Sequence, residues 1–89
     1  MKAVISVVGR DAVGIIAKVS AVCAEYQVNI EDISQSVLGD YFTMIMITDI
    51  SNISIDFAVF VDTMAELGRN NNLEIHAMHE DIFNAMHHI

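Results

Sequence analysis

The stretch VVGRDAVGIIAKV, residues 7–19, decides how the rest of the chain is read. β-Branched residues run up to Gly9, the connecting residues Arg10, Asp11, Ala12 and Val13 follow, and Gly14 then stands where a helix should open. Inside a helix glycine is about 1 kcal/mol worse than alanine, so its place here needs a reason. The first amides of a helix are unpaired and lie at the positive end of its dipole. A residue without a side chain lets a small anion, or a neighbouring backbone, come close to them.

Working outward, residues 2–8, KAVISVV, read as a strand. From Val13 to about Tyr26 the apolar residues Ile15, Ile16, Val19, Val22, Cys23 and Tyr26 recur at helical spacing, leaving Lys18, Ser20 and Glu25 for the outer face. Val28 to Leu38 returns to strand character. Its alternation breaks at Glu31-Asp32, where a bulge would restore the pleat phase. Gly39-Asp40 marks a tight turn, and residues 41–50, YFTMIMITDI, complete a hairpin.

Ser54 is the best N-cap for a second helix, with Asp56 well placed against its dipole. Phe57, Phe60, Val61, Met64 and Leu67 share one face of that helix. Gly68 to Asn72 closes it, the asparagines suiting left-handed or turn geometry. Residues 73–79, LEIHAMH, form a last strand, and residues 80–89, EDIFNAMHHI, a short terminal helix with Ile82, Phe83, Met86 and Ile89 on one side.

The order βαββαβ with a tail helix predicts an α+β, ferredoxin-like single domain over residues 1–89, an antiparallel sheet with two helices on one face. The uncovered face should alternate to polar. Residues 41–50 do not: Phe42, Met44 and Met46 fall on one parity, Ile45 and Ile47 on the other. A second copy, helped by the terminal helix, would cover that face.

Composition bounds the function. Apolar residues make up 54% of only 89, with a mean hydropathy of +0.48, which favours a homodimer or larger homo-oligomer. No apolar run reaches the roughly 18 residues of a membrane span, and the start lacks a signal-peptide pattern, so a cytoplasmic protein off the membrane is expected. Four Lys/Arg against twelve Asp/Glu give a charge of −8, which disfavours direct nucleic-acid binding. Cys23 is the single cysteine and excludes an internal disulfide; on a helix's apolar stripe it reads as a buried, inert thiol.

Strand, Asp11-x-x-Gly14-Ile15, helix, then Val28-Asn29-Ile30 opening the second strand resembles the ACT domain, a small amino-acid-sensing module. The likeness covers essentially the whole chain. It looks closest to stand-alone bacterial ACT proteins of uncharacterised function whose ends are much like HEDIFNAMHHI, and more distantly to glycine-cleavage regulators. The resemblance implies a ligand at a subunit interface, with Asp11, Ala12, Val13, Gly14 and Ile15 on one side and Asn29 and Ile30 on the other. The Gly14 and Ile15 amides would hold a carboxylate, and the Asn29 amide the ligand's amine or carboxylate. Val13 departs from the pattern, because many relatives have proline there.

Close packing at Gly14 with no ligand, Asp11 as a plain N-cap and Asn29 as a turn residue stay open beside these roles. His76, His79, His87 and His88 could be read as a metal cluster with Glu80 and Asp81. On a strand, however, His76 and His79 point to opposite faces unless the chain bends after Ala77. Ser34 and Ser36 lack a nucleophile elbow, Glu31-Asp32 favours the bulge over acid–base work, and Met44, Met46, Met78 and Met86 read as filler. No phosphate loop or other cofactor pattern is present. The sequence therefore points to a non-enzymatic regulatory module binding a small molecule, an amino acid above all, and acting through an unknown partner protein. A purely structural interaction module, and a metal-binding protein or metal-dependent enzyme, are the alternatives.

Overall fold

The computed structural model describes residues 1–10 and 13–86. Four strands and three helices follow in the order β1 (Lys2–Gly9), α1 (Ile15–Glu25), β2 (Asn29–Leu38), β3 (Tyr41–Asp49), α2 (Phe57–Asn70), β4 (Glu74–His79) and α3 (Glu80–Met86). The strands form one antiparallel sheet, ordered β2-β3-β1-β4. This is the expected ferredoxin-like fold. Odd positions of β1 and β4 and even positions of β3 face the helices. Ala3, Ile5, Val7, Met44, Met46, Ile75 and Ala77 thus join Ile15, Val19, Cys23, Phe60 and Met64 in one core. Both main helices therefore cover the same face. Thr48, buried on that side, donates its hydroxyl to the Ala3 carbonyl at 2.9 Å.

The phase break in β2 is a bulge. Ile30 pairs with Thr48 and Asp32 with Ile47, so Glu31 is the extra residue and the pleat recovers after it. Leu38 opposes Tyr41 across the two-residue turn, where Gly39 takes φ 60°. The tail helix packs on β1 and β4. Val4, on the parity away from the core cluster, is only 1% exposed. Val8, Ile45 and Ile47 on that same face stay partly open.

Both main helices end in the same hydrogen-bonded hook, with a left-handed residue just past the last turn. At α1, Val28 N–H bonds Cys23 O at 2.8 Å around Gln27, whose φ is 61°; at α2, Leu73 N–H bonds Gly68 O at 2.8 Å around Asn72, whose φ is 58°.

One expectation about α2 needs correction. Its N-cap is Asp56, not Ser54, because the Ser54 N–H is spent on Tyr26 O at 2.9 Å while Ile53 and Ile55 pack against the core. Those contacts hold the chain out of helix until Phe57. The helix closes within Gly68 to Asn72 as expected, with Asn70 its last residue and Asn71 its C-cap; Gly68 has a further role. It lies buried inside the last turns, where a Cβ would stand 2.6 Å from Leu73 O and 3.0 Å from Ile75 N. Its missing side chain lets the end of α2 press against the start of β4.

Candidate functional site

Gly14 is the N-cap of α1 and adopts φ 73°, ψ 2°, a left-handed conformation that glycine enters without steric cost. Among the described residues, a Cβ built there meets nothing within 4 Å. Close packing against those residues, one of the two explanations the sequence left open, is thus not why glycine stands here. Backbone geometry is. The carbonyl of Gly14 accepts the Lys18 N–H at 3.1 Å, the first bond of the helix. The cap position itself falls on Gly14. Asp11 and Ala12 themselves lie outside the described residues.

Beside this helix start runs a half-open groove of about 750 Å³, within the range of small-ligand pockets. Gly9, at the end of β1, and Leu73 line it, and a Cβ on Gly9 would run into the Leu73 side chain where it now lies. Val13, just ahead of α1, and Ile15, its first residue, line the groove, Val13 89% exposed and Ile15 buried with its side chain in the core. The close approach at Gly68 brings the end of α2, with Arg69, Asn71 and Asn72, to the same place.

Charge singles this groove out. Arg10, Lys18 and Arg69, three of the four Lys/Arg residues, line it. Arg10 sits over the Tyr41 ring, 5.4 Å from its centre, and donates to the phenol oxygen at 3.4 Å. Lys18 donates to the Asn71 side-chain oxygen at 2.6 Å, and Asn71 in turn donates to Leu67 O at 2.8 Å. Arg69 occupies the last turn of α2, where a cation suits the helix dipole. Among the described residues none of the three is ion-paired to a carboxylate. Glu74, the carboxylate among the described lining residues, lies 3.2 Å from His76.

The remaining sequence candidates are elsewhere. Asn29 and Ile30 open β2 at the opposite end of the sheet, Asn29 paired with Asp49 and Ile30 packed against the core. The 11-residue α1 separates them from Gly14 by about 16 Å. One chain cannot bring the two halves of the expected site together. The β4 strand runs straight through to His79, so His76 and His79 take opposite faces. His79 lies against Phe57 with ring centres 4.3 Å apart, while His76 is on the open face. Among the described residues no three potential ligands gather as a metal site; His87 and His88 lie outside them. Cys23 is 1% exposed, and burial pushes its thiol up to about 11, the inert state expected of it.

Sequence reading missed Arg10, Lys18, Tyr41, Arg69 and Asn71. The available signal was scarcity: with four basic residues in an acidic chain, two of them flank the Gly14 motif.

Residues 2–77 match the ACT domain family. A UPF0237 protein of Clostridium perfringens is 52% identical over 89 residues, the full length of both chains. A UPF0237 protein of Methanocaldococcus jannaschii is 43% identical over 88, covering 99% of this chain and 98% of its own. Among solved structures, an ACT domain protein from Streptococcus pneumoniae superposes with a TM-score of 0.81 at 42% identity, covering 93% of each chain. A proposed glycine cleavage system transcriptional repressor superposes at 0.70 with 26% identity, over 86% of this chain and 44% of that one. No helix among the described residues is long and apolar enough to cross a membrane.

Proposed function

Because the chain belongs to the ACT domain family, we propose that it is a non-enzymatic regulatory module whose groove beside Gly14 takes a small carboxylate-bearing metabolite, an amino acid above all. One observation carries this: Arg10, Lys18 and Arg69 converge on a single groove in a chain of charge −8. A carboxylate entering there finds donors already held in place by Tyr41 and Asn71, together with the open amides of the first turn of α1.

The signal travels by linkage. A ligand favours one assembly or partner-bound state only by as much as it binds that state more tightly. The partly open Val8, Ile45 and Ile47 supply a surface for a second copy of the chain, and a second copy is what Asn29 and Ile30 need to reach a groove. A partner protein then reads the assembly.

Calorimetry of the wild-type protein against the twenty amino acids tests the binding, with the Lys18→Ala/Arg69→Ala double variant as control. At least one amino acid should bind, and about ten-fold or more weaker to the double variant, since each charge-assisted hydrogen bond is worth about 1.5–3 kcal/mol. Folded protein that gives no heat with any of them sinks the proposal. Sizing with and without the bound amino acid then tests the assembly step.

A further inference from the structure

We propose that the groove selects ligands bearing two or more anionic groups over singly charged or zwitterionic ones, an inference that rests on the ligand-binding function above. A neutral amino acid presents one carboxylate and one ammonium. It would satisfy one of the groove's cations and set its own positive charge beside the others. Arg10, Lys18 and Arg69 together ask for more negative charge than that.

The partners chosen for these side chains strengthen the case. The chain holds twelve carboxylates, yet Arg10 rests on the Tyr41 ring and Lys18 on the Asn71 amide oxygen. Both partners are neutral. They orient a cation without cancelling its charge, so the positive potential is kept for what enters. Glu74 at the rim is turned to His76. Everywhere else the acidic excess repels anions, and field lines concentrate an anion here. The ligand's second acidic group can be a carboxylate or a phosphate, because guanidinium forks donate to both bidentately and the lysine ammonium suits either.

Matched pairs that differ in one anionic group test this: L-glutamate against L-glutamine, and O-phospho-L-serine against L-serine, each titrated calorimetrically into the wild-type protein and into the single variants Lys18→Gln and Arg69→Gln. Both substitutions sit on exposed positions, and circular dichroism is to be used to check that each variant is folded. The expected result is that the more anionic member of at least one pair binds about ten-fold tighter or more, and that this preference shrinks in either variant. The pair that responds identifies the second group as carboxylate or phosphate. A neutral member binding as tightly overturns the charge selection while leaving the ligand-binding function standing. A preference that survives both variants overturns it too, by placing the selectivity outside these cations. Heat from none of the four, where another amino acid binds, overturns the selection alone; heat from no amino acid at all overturns both.

Discussion

The two ends of the sheet treat positive charge in opposite ways. Where β1 begins, Lys2 is paired with Glu31 at the bulge, and the α-ammonium lies 3.7 Å from Asp49 and donates to Ser51 Oγ at 3.0 Å. Asp49 also accepts from Ser51 Oγ at 2.6 Å and from Ser51 N–H at 2.9 Å. A shallower groove of about 500 Å³ there is lined by Met1, Lys2, His79, Glu80, Asp81 and Ile82, so its cations already face acids. Where β1 ends, Arg10 and Lys18 have neutral companions, and Arg69 lines the same groove. In a chain with three acids for every base, pairing is what an unconstrained surface settles into. The end where the described cations stay unpaired is the one to which the proposed function assigns an anionic ligand.

The largest test of this contrast is Gly68→Ala. Its Cβ would press on Leu73 O at 2.6 Å, which only a shift of α2 relative to β4 relieves. Overpacking of this kind costs about 1–3 kcal/mol, read as a lower urea midpoint. The same shift should open the core to Cys23, so thiol labelling at pH 8, slow in the wild type, should speed up. Unchanged midpoint and labelling would mean that the helix end is not pressed into place by the missing side chain.

Next comes Gly14→Gln, which should lose about 1 kcal/mol because an ordinary side chain is strained at φ 73°. The other end runs the same experiment in reverse. Gln27 already occupies φ 61°, so Gln27→Gly should gain stability, by less than about 1 kcal/mol once glycine's extra backbone entropy is subtracted. Equal and negligible changes at both positions would show that backbone handedness is not what selects glycine at the groove.

The smallest effect is pH dependence at the paired end. Ser51's hydroxyl and amide, then the α-ammonium and Lys2, hold the Asp49 carboxyl below its usual 3.8. The lowered value means that the native state favours the ionised form. That contribution is present above about pH 4 and is lost as pH falls through the lower folded value. Asp49→Asn should therefore be less stable than wild type at pH 6, with the gap in urea midpoint closing toward pH 2.5. A gap that stays constant over that range would assign the loss to geometry instead of charge.

Much of the architecture was open to reading from the chain alone. Period-two and period-3.6 apolar spacing placed the strands and helices, and Glu31-Asp32 announced the bulge because the inward phase changes across it. The left-handed Asn72 followed from asparagine's tolerance of that region. Gly14 opens α1 as its position in the sequence suggested, and what selects glycine there is handedness of the backbone. The start of α2 was misplaced because a hydrogen bond from Ser54 to Tyr26, twenty-eight positions earlier in the chain, outweighs Ser54's local preference to cap.

What local pattern determines, then, is which segments coil, which extend and in what order they follow. These are decided by residues within a few positions of one another. The meeting of Arg10, Lys18, Tyr41, Arg69 and Asn71 draws on five separate elements or loops, and only the folding of α2 onto β4 beside the end of β1 brings them together. The same folding parts Asn29 from Gly14, close in sequence but at opposite ends of a rigid helix. Spacing along a chain records neighbours in sequence, and charges that meet across a fold leave no period in it.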